Sequence, residues 1–318
     1  MRDADQLSRF ARAVRGHRLD AGLTQSELAT RADVSVRTVR AVEQGQVARP
    51  RSLAKIAAAV GLTWPPTGPR IGVLGPLVVE TGVGEVRWES RKPRVLLGLL
   101  AVHPGRVVGH GEIVDVLWGE DPPAAHQNLV HGYVARVRTT LGDPSAVRTE
   151  RGGYRLDLPH DHLDVTTFDA LAARADVTAL GEALDLWRGR VLADLPELHP
   201  HPTVQSIAAR RSAAAVALAD LALDQGVPGE AVERLRRLVA DEPLHEGLHA
   251  KLLVTLAADG RQAAALEEFA RIRSRLVDDL GVEPGPDLRA AHVRVLRQDF
   301  PDDRAVRMPR TTRVAAHG

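Results

Sequence analysis

Arg37, Arg40 and Gln44 are the first side chains in this sequence whose types and spacing could do chemistry. At 100° per residue they fall on one side of a short helix, while Val39 and Val42 fall on the other. Arginine can bridge O6 and N7 of guanine, so such a face suits the major groove of DNA. Two short helices and a tight turn must hold it. Thr24 and Glu27 have capping-box spacing at the start of the first helix. Ser35 caps the second helix, and Gly45 supplies the residue that ends it. The candidate reading residues here are Ser35, Val36, Arg37, Thr38, Arg40 and Gln44.

A second set lies in a long helical pattern over residues 124–141, where Val130, Val134, Val137 and Leu141 form one stripe. The opposite face presents Asn128, Gly132, Ala135 and Thr139, flanked by His131 and Arg136. Asparagine pairs bidentately with adenine, and Gly132 would let a duplex approach the backbone closely. Around this helix, residues 71–79 and 86–88 read as small strands about Gly82 and Gly84. Helical patterns at 92–102 and 111–118 precede it. Val147–Thr149 and Tyr154–Leu156 flank Arg151-Gly152-Gly153 as a hairpin, with Arg151 at its tip. Strands, three helices and a hairpin make a winged helix.

Composition narrows the rest. A length of 318 residues suggests two or three domains. The absence of cysteine excludes disulfides, thiolate zinc sites and a cysteine nucleophile. No apolar run is long enough for an ordinary membrane span, and the N-terminus has no signal-peptide pattern. A cytoplasmic protein, associated with the nucleoid, is the expectation. The net charge of +1 is unevenly spread. Residues 1–62 carry 11 basic against 6 acidic side chains, a net +5, whereas residues 158–299 carry 16 against 23, a net −7. A basic head suits phosphate contacts, and an acidic rear suits protein contacts or solvent. The 39 arginines against 3 lysines make arginine abundance weaker evidence than arginine placement.

The expected organisation is mainly α and multidomain: a helix-turn-helix module over residues 1–66, a winged helix over 70–158, an all-α repeat domain over 160–299 and a disordered tail over 300–318. Trp64-Pro65-Pro66-Thr67-Gly68-Pro69 is a stiff break between the first two modules. In the first module, Leu7, Phe10, Ala11 and Val14 mark an opening helix and Leu53, Ile56, Ala57 and Val60 a closing one. In the third, Gly226, Ala231 and Leu235 recur 34 residues later as Gly260, Ala265 and Phe269, and Leu218 as Leu252. This is the tetratricopeptide spacing, in which small residues let paired helices pack closely.

The first module resembles the Xre/phage-repressor type, a five-helix bundle, in its Gln25 and its Glu43-Gln44-Gly45. That resemblance implies that Arg18 pairs with Glu43 and that Gln25 touches backbone phosphate. Asp33 departs from it, where the turn often carries glycine. The rest of the chain resembles the Streptomyces antibiotic regulatory protein (SARP) family. The carriers are Gly153-Tyr154-Arg155-Leu156, residues 163–168 (Leu-Asp-Val-Thr-Thr-Phe), residues 183–189 (Ala-Leu-Asp-Leu-Trp-Arg-Gly), Pro243-Leu244-His245-Glu246, residues 259–266 and residues 281–288. The resemblance implies an OmpR-like winged helix followed by a bacterial transcriptional activation domain. It also implies an activator of a biosynthetic gene cluster that binds direct repeats of double-stranded promoter DNA and contacts RNA polymerase. A homo-oligomer on DNA is compatible with direct repeats. Larger relatives continue into an ATPase region, and no Gly-x4-Gly-Lys-Ser/Thr loop occurs here.

Two other chemistries compete. His245-Glu246-Gly247-Leu248-His249 satisfies the His-Glu-x-x-His pattern of zinc peptidases, with Glu267 or Glu268 as a third ligand. The 34-residue register aligns His249 with Ala215, an inward position, so a packed or surface histidine is expected. His160/His162 and His199/His201 sit beside prolines, where weak metal affinity is the alternative, and read as solvated loop histidines. No catalytic residue, cofactor or metal is expected. The other alternative is a repeat-based protein-interaction adaptor with weak DNA affinity, and intact caps and two outward polar faces argue against it.

Overall fold

The computed structural model describes residues 2–46, 48–62, 68–81, 84–86 and 88–299. The expected break at 64–67, the turn at Gly82 and the tail at 300–318 lie outside the described residues. The chain divides into two compact units, Met1–Thr167 with Leu192–Thr203, and Phe168–Val191 with Val204–Gly318. Among the described residues, no helix is long and apolar enough to cross a membrane.

The first unit opens with helices α1 (Arg2–Asp20), α2 (Gln25–Arg31), α3 (Val36–Glu43) and α4 (Pro50–Ala59). The bundle therefore has four helices among the described residues where five were expected. The opening helix runs for 19 residues, and Pro50 starts the closing one at a position where its missing N–H costs nothing. Phe10, Val14, Leu28, Val39, Val42, Leu53 and Ile56 fill its core.

Strands β1 (Arg70–Gly72), β2 (Val78–Thr81) and β3 (Gly84–Glu85) follow as an antiparallel sheet in that order. Then come α5 (Arg91–Ala101), β4 (Val107–Gly109), α6 (His110–Trp118), α7 (His126–Leu141), β5 (Val147–Glu150) and β6 (Gly153–Leu156). A second sheet has the order β4-β6-β5. The hairpin expected over 147–156 is the β5–β6 pair, with Val147 opposite Leu156 and Gly152 turned at φ 87°. Strand β4 has no counterpart in the sequence reading. Its three residues are too few for alternation to show, and its pairing with β6 comes from tertiary contact.

Residues 192–203, which the sequence reading places wholly in the third module, fold with the winged helix. The amide of Leu192 donates to Val73 O at 3.0 Å, and that of Leu77 to the Asp194 carboxylate at 2.8 Å. Gly98 allows this: a Cβ there would meet Leu195 Cδ1 at 2.9 Å and Leu198 Cδ1 at 3.0 Å. Asp164, at the start of α8 (Asp164–Ala172), accepts the amides of Val73 and Leu74 at 2.8 and 3.0 Å.

The second unit contains α9 (Val177–Asp185), α10 (Pro202–Asp224), α11 (Gly229–Asp241), α12 (Glu246–Ala258), α13 (Gln262–Leu280) and α14 (Pro286–Arg297), α10 entering it at Val204. The 34-residue repeat corresponds to α10–α11 and α12–α13. Ala231 and Ala265 are fully buried, and Gly226 and Gly260 both take positive φ at the turns between paired helices. Phe269, the bulky member of the second copy, is half-buried and stacks on His292 with ring centroids 3.7 Å apart.

Candidate nucleic-acid interface

In the helix-turn-helix module both caps form. Thr24 N donates to Glu27 Oε2 at 2.6 Å, and Glu27 N donates to Thr24 Oγ1 at 3.2 Å. Hydrogen bonding of its carboxylate by Thr24, from the backbone amide foremost and then the side chain, holds the Glu27 carboxyl below its ordinary range. Thr38 N donates to Ser35 Oγ at 3.1 Å, and the two hydroxyls share a 2.8 Å hydrogen bond. Asp33 adopts φ 49°, the left-handed conformation that its short polar side chain tolerates, and Lys55 Nζ donates to Asp33 Oδ2 at 2.5 Å. The turn thus forms without glycine.

Arg18 Nε and Nη2 donate to the two oxygens of Glu43 at 2.6 and 3.1 Å, joining α1 to α3. Gln25 Nε2 donates to the same carboxylate at 2.7 Å, and Arg40 Nε donates to Gln25 Oε1 at 3.3 Å. Gln25 is therefore half-buried and bonded inward. Arg37, Arg40, Gln44 and Ser35 are exposed, whereas Thr38 and Val36 are half-buried and Val36 packs against the core.

In the winged helix, Val130, Val134, Val137 and Leu141 are buried, which turns the opposite side of α7 outward. Asn128, His131, Gly132 and Arg136 are exposed on it, and Arg151 is exposed beyond β5. A Cβ at Gly132 would meet nothing within 4 Å, so the gap in the helix surface is open. Arg136 Nη2 donates to the exposed Glu89 carboxylate at 2.9 Å. Arg138, on the flank of α7, donates to Val147 O at 2.9 and 2.6 Å and to Thr149 Oγ1 at 3.0 Å, fastening the helix to the hairpin. Trp118 stacks on Tyr133 across α6 and α7, with Lys92 Nζ 4.9 Å from the indole centre. Gln127 and Leu129 share the exposure of Asn128, although they lie off the stripe from Asn128 to Thr139 that the helical spacing marks.

The His-Glu-x-x-His pattern separates into three packing roles. His245 Nδ1 accepts the Leu248 amide at 3.3 Å as the cap of α12. Glu246 Oε2 accepts the Gly285 amide at 2.5 Å, ahead of α14. His249 is buried between Glu268 Oε1, 2.8 Å from its Nδ1, and Pro243 O, 3.1 Å from its Nε2. The imidazoles are thus committed to different partners, and the zinc-peptidase reading fails.

The loop histidines correct the expectation in the other direction. His160 is exposed, but His162 is buried with Nδ1 3.1 Å from Pro69 O. His199 lies 3.0 Å from Leu192 O through Nε2, and His201 reaches Glu112 at 3.0 Å. Proline neighbours signalled a loop, but not that this loop returns to pack on the winged helix.

A capped helix-turn-helix bundle, a winged helix with an outward polar face on its third helix and a helical-repeat unit together define the architecture of a transcriptional regulator. Matches to known families agree: "Helix-turn-helix" over residues 14–65, "Transcriptional regulatory protein, C terminal" over 86–156 and "Bacterial transcriptional activator domain" over 163–296. Regulatory protein DnrI of Streptomyces peucetius is 32% identical over 260 residues, covering 74% of this chain and 94% of that protein. Regulatory protein AfsR of Streptomyces coelicolor is 36% identical over 242 residues, 72% of this chain but only 24% of its own length. A solved structure of Mycobacterium tuberculosis EmbR, in complex with a low-affinity phosphopeptide, matches with TM-score 0.59 at 30% identity, covering 74% of this chain and 66% of that one. The chain belongs to the SARP family of transcriptional regulators, and so stands with regulators rather than enzymes.

Proposed function

We propose that this chain is a sequence-specific activator that reads direct repeats of promoter DNA through two faces. One is Arg37, Arg40 and Gln44 on α3, with Ser35, Val36 and Thr38 shaping the start of that helix and Gln25 beside it. The other is Asn128, His131, Gly132 and Arg136 on α7, with Arg151 on the hairpin. The observation that carries this reading is the exposed face of α7: an amide, an imidazole, an open glycine and a guanidinium, backed by four buried apolar residues. Gln25 contributes by orienting Arg40, which donates to its Oε1, and its contact with phosphate would come from Nε2, which also donates to Glu43.

Two reading modules on one chain make the second contact intramolecular, which can raise affinity about 10²–10⁴-fold when the sites are correctly spaced. The repeat unit, in the acidic part of the chain, would contact RNA polymerase or a second copy on adjacent repeats, in the nucleoid, to activate a biosynthetic cluster. Binding of the full chain to promoter fragments, measured by anisotropy from 50 to 200 mM salt, tests the core of this. The expected result is a preference for direct repeats and a steep loss of affinity with salt. Equal, weak binding to all duplexes would support an adaptor instead.

A further inference from the structure

His103, Glu112 and His201 come together in the first unit from α5's end, α6 and the segment that precedes α10, and the DNA-reading faces use none of them. Their ligand atoms all lie within 4.8 Å of one another. Glu112 Oε1 is 3.6 Å from His103 Nε2 and 3.0 Å from His201 Nε2. Two ligands of a tetrahedral zinc ion, at bond lengths of about 2.0–2.1 Å, stand roughly 3.3 Å apart, so both separations bracket the edge of that polyhedron.

His103 is already set for such a role. Its Nδ1 faces Leu99 O at 3.0 Å, and a carbonyl can only accept, so the proton resides on Nδ1 and the Nε2 lone pair faces the cluster. Thr203 Oγ1 donates to that lone pair at 2.9 Å. The His103 side chain is 8% exposed and that of Glu112 38%, which leaves an approach from solvent on the carboxylate side. The two rings meet edge to face, with centroids 5.2 Å apart.

We propose that His103, Glu112 and His201 form a zinc site, with Thr203 Oγ1 or water completing the shell. The ion would pin Leu192–Thr203 to the winged helix. Loading requires two rearrangements: the Thr203 hydroxyl turns its proton away from His103 Nε2, and His201 changes tautomer. His201 Nδ1 accepts the Thr203 amide at 3.2 Å, which puts the ring proton on Nε2, directed at Glu112. When zinc takes Nε2, that proton moves to Nδ1, and the Thr203 amide in the first turn of α10 passes to water.

The test is titration of chelator-treated full-length protein with zinc by calorimetry, with cobalt(II) as a spectroscopic probe. Glu112→Gln and His201→Asn are the variants, and His160→Asn, at an exposed loop position, is the control. One zinc per chain is expected, with visible cobalt absorption of tetrahedral intensity. Binding should weaken at least tenfold in both variants and stay unchanged in the control. Ring ¹⁵N shifts should report the His201 proton moving to Nδ1. If His201→Asn fails to fold, Glu112→Gln and the ¹⁵N shifts decide the matter. No stoichiometric zinc, or binding that survives Glu112→Gln with no change at His201, would overturn the site and leave a hydrogen-bonded clasp. Neither result bears on DNA binding, which is measured separately.

Discussion

Arg18 grips Glu43 with two nitrogens, at 2.6 and 3.1 Å, while the two side chains retain only 8% and 5% exposure. Gln25 donates to that carboxylate as well, so α1, α2 and α3 meet on one anion. Removing one member strands the other away from water. Glu43→Ala should destabilise the helix-turn-helix module by about 3–5 kcal/mol. Replacing Arg18 and Glu43 together by apolar residues of similar volume should recover much of the loss. Thermal unfolding of the single and double variants measures this; a Glu43→Ala protein as stable as the parent would refute it.

Arg37→Ala leaves the fold untouched, because the side chain is exposed and α3 is capped by Ser35. It should cost about 1–3 kcal/mol of binding and relax preference at one base pair. Competition with a panel of single-base operator variants distinguishes this from a phosphate contact, which would weaken all sequences equally.

Gly132 separates folding from recognition. Alanine there meets nothing within 4 Å, and Gly to Ala in a helix interior stabilises by roughly 0.5–1 kcal/mol. Gly132→Leu should likewise fold, yet lose most DNA affinity, because its side chain would occupy the space a duplex needs. Unchanged affinity in a folded Gly132→Leu protein would mean this side of α7 does not face DNA.

The second unit should weaken in acid. The hydrogen bond from His249, with further help from Arg271 and against the cost of burial, holds the Glu268 carboxyl below its ordinary value of 4.5. A carboxylate depressed in the folded state contributes stability above its unfolded value and loses it as pH falls through the folded one. Burial opposes ionisation of Asp185, but Arg234 and Arg237 still hold it below its usual range, with the same sign. Urea midpoints should therefore drop below about pH 4.5, with a shallower fall in Glu268→Gln. An identical acid profile in that variant would contradict the assignment.

The elements that carry the proposed reading residues were legible where local chemistry fixes them. The capping box at Thr24 and Glu27, the Ser35 cap and the stripe from Val130 to Leu141 are patterns of neighbouring residues, and each forms as spaced. The 34-residue register also placed His249 inward correctly, since repeat packing is itself local. What the sequence hid depends on distant partners. Strand β4 exists because β6 pairs with it, and residues 192–203 fold back because Gly98 leaves room for three leucines. His201 reads as a solvated loop residue because its partner Glu112 is 89 positions away. The first module has four helices among its described residues, not five, because only four of its stretches carry an apolar stripe or a cap and no further stretch marks a fifth.

If the α3 and α7 faces touch base edges, substitutions on them change which sequences the protein prefers. Footprinting of the intact chain across the genome, beside Arg37→Ala and Asn128→Ala proteins, tests it most directly. Protected direct repeats are expected, with each variant losing preference at its own distinct positions. Footprints unchanged in both variants, or protection without a shared sequence, would contradict it.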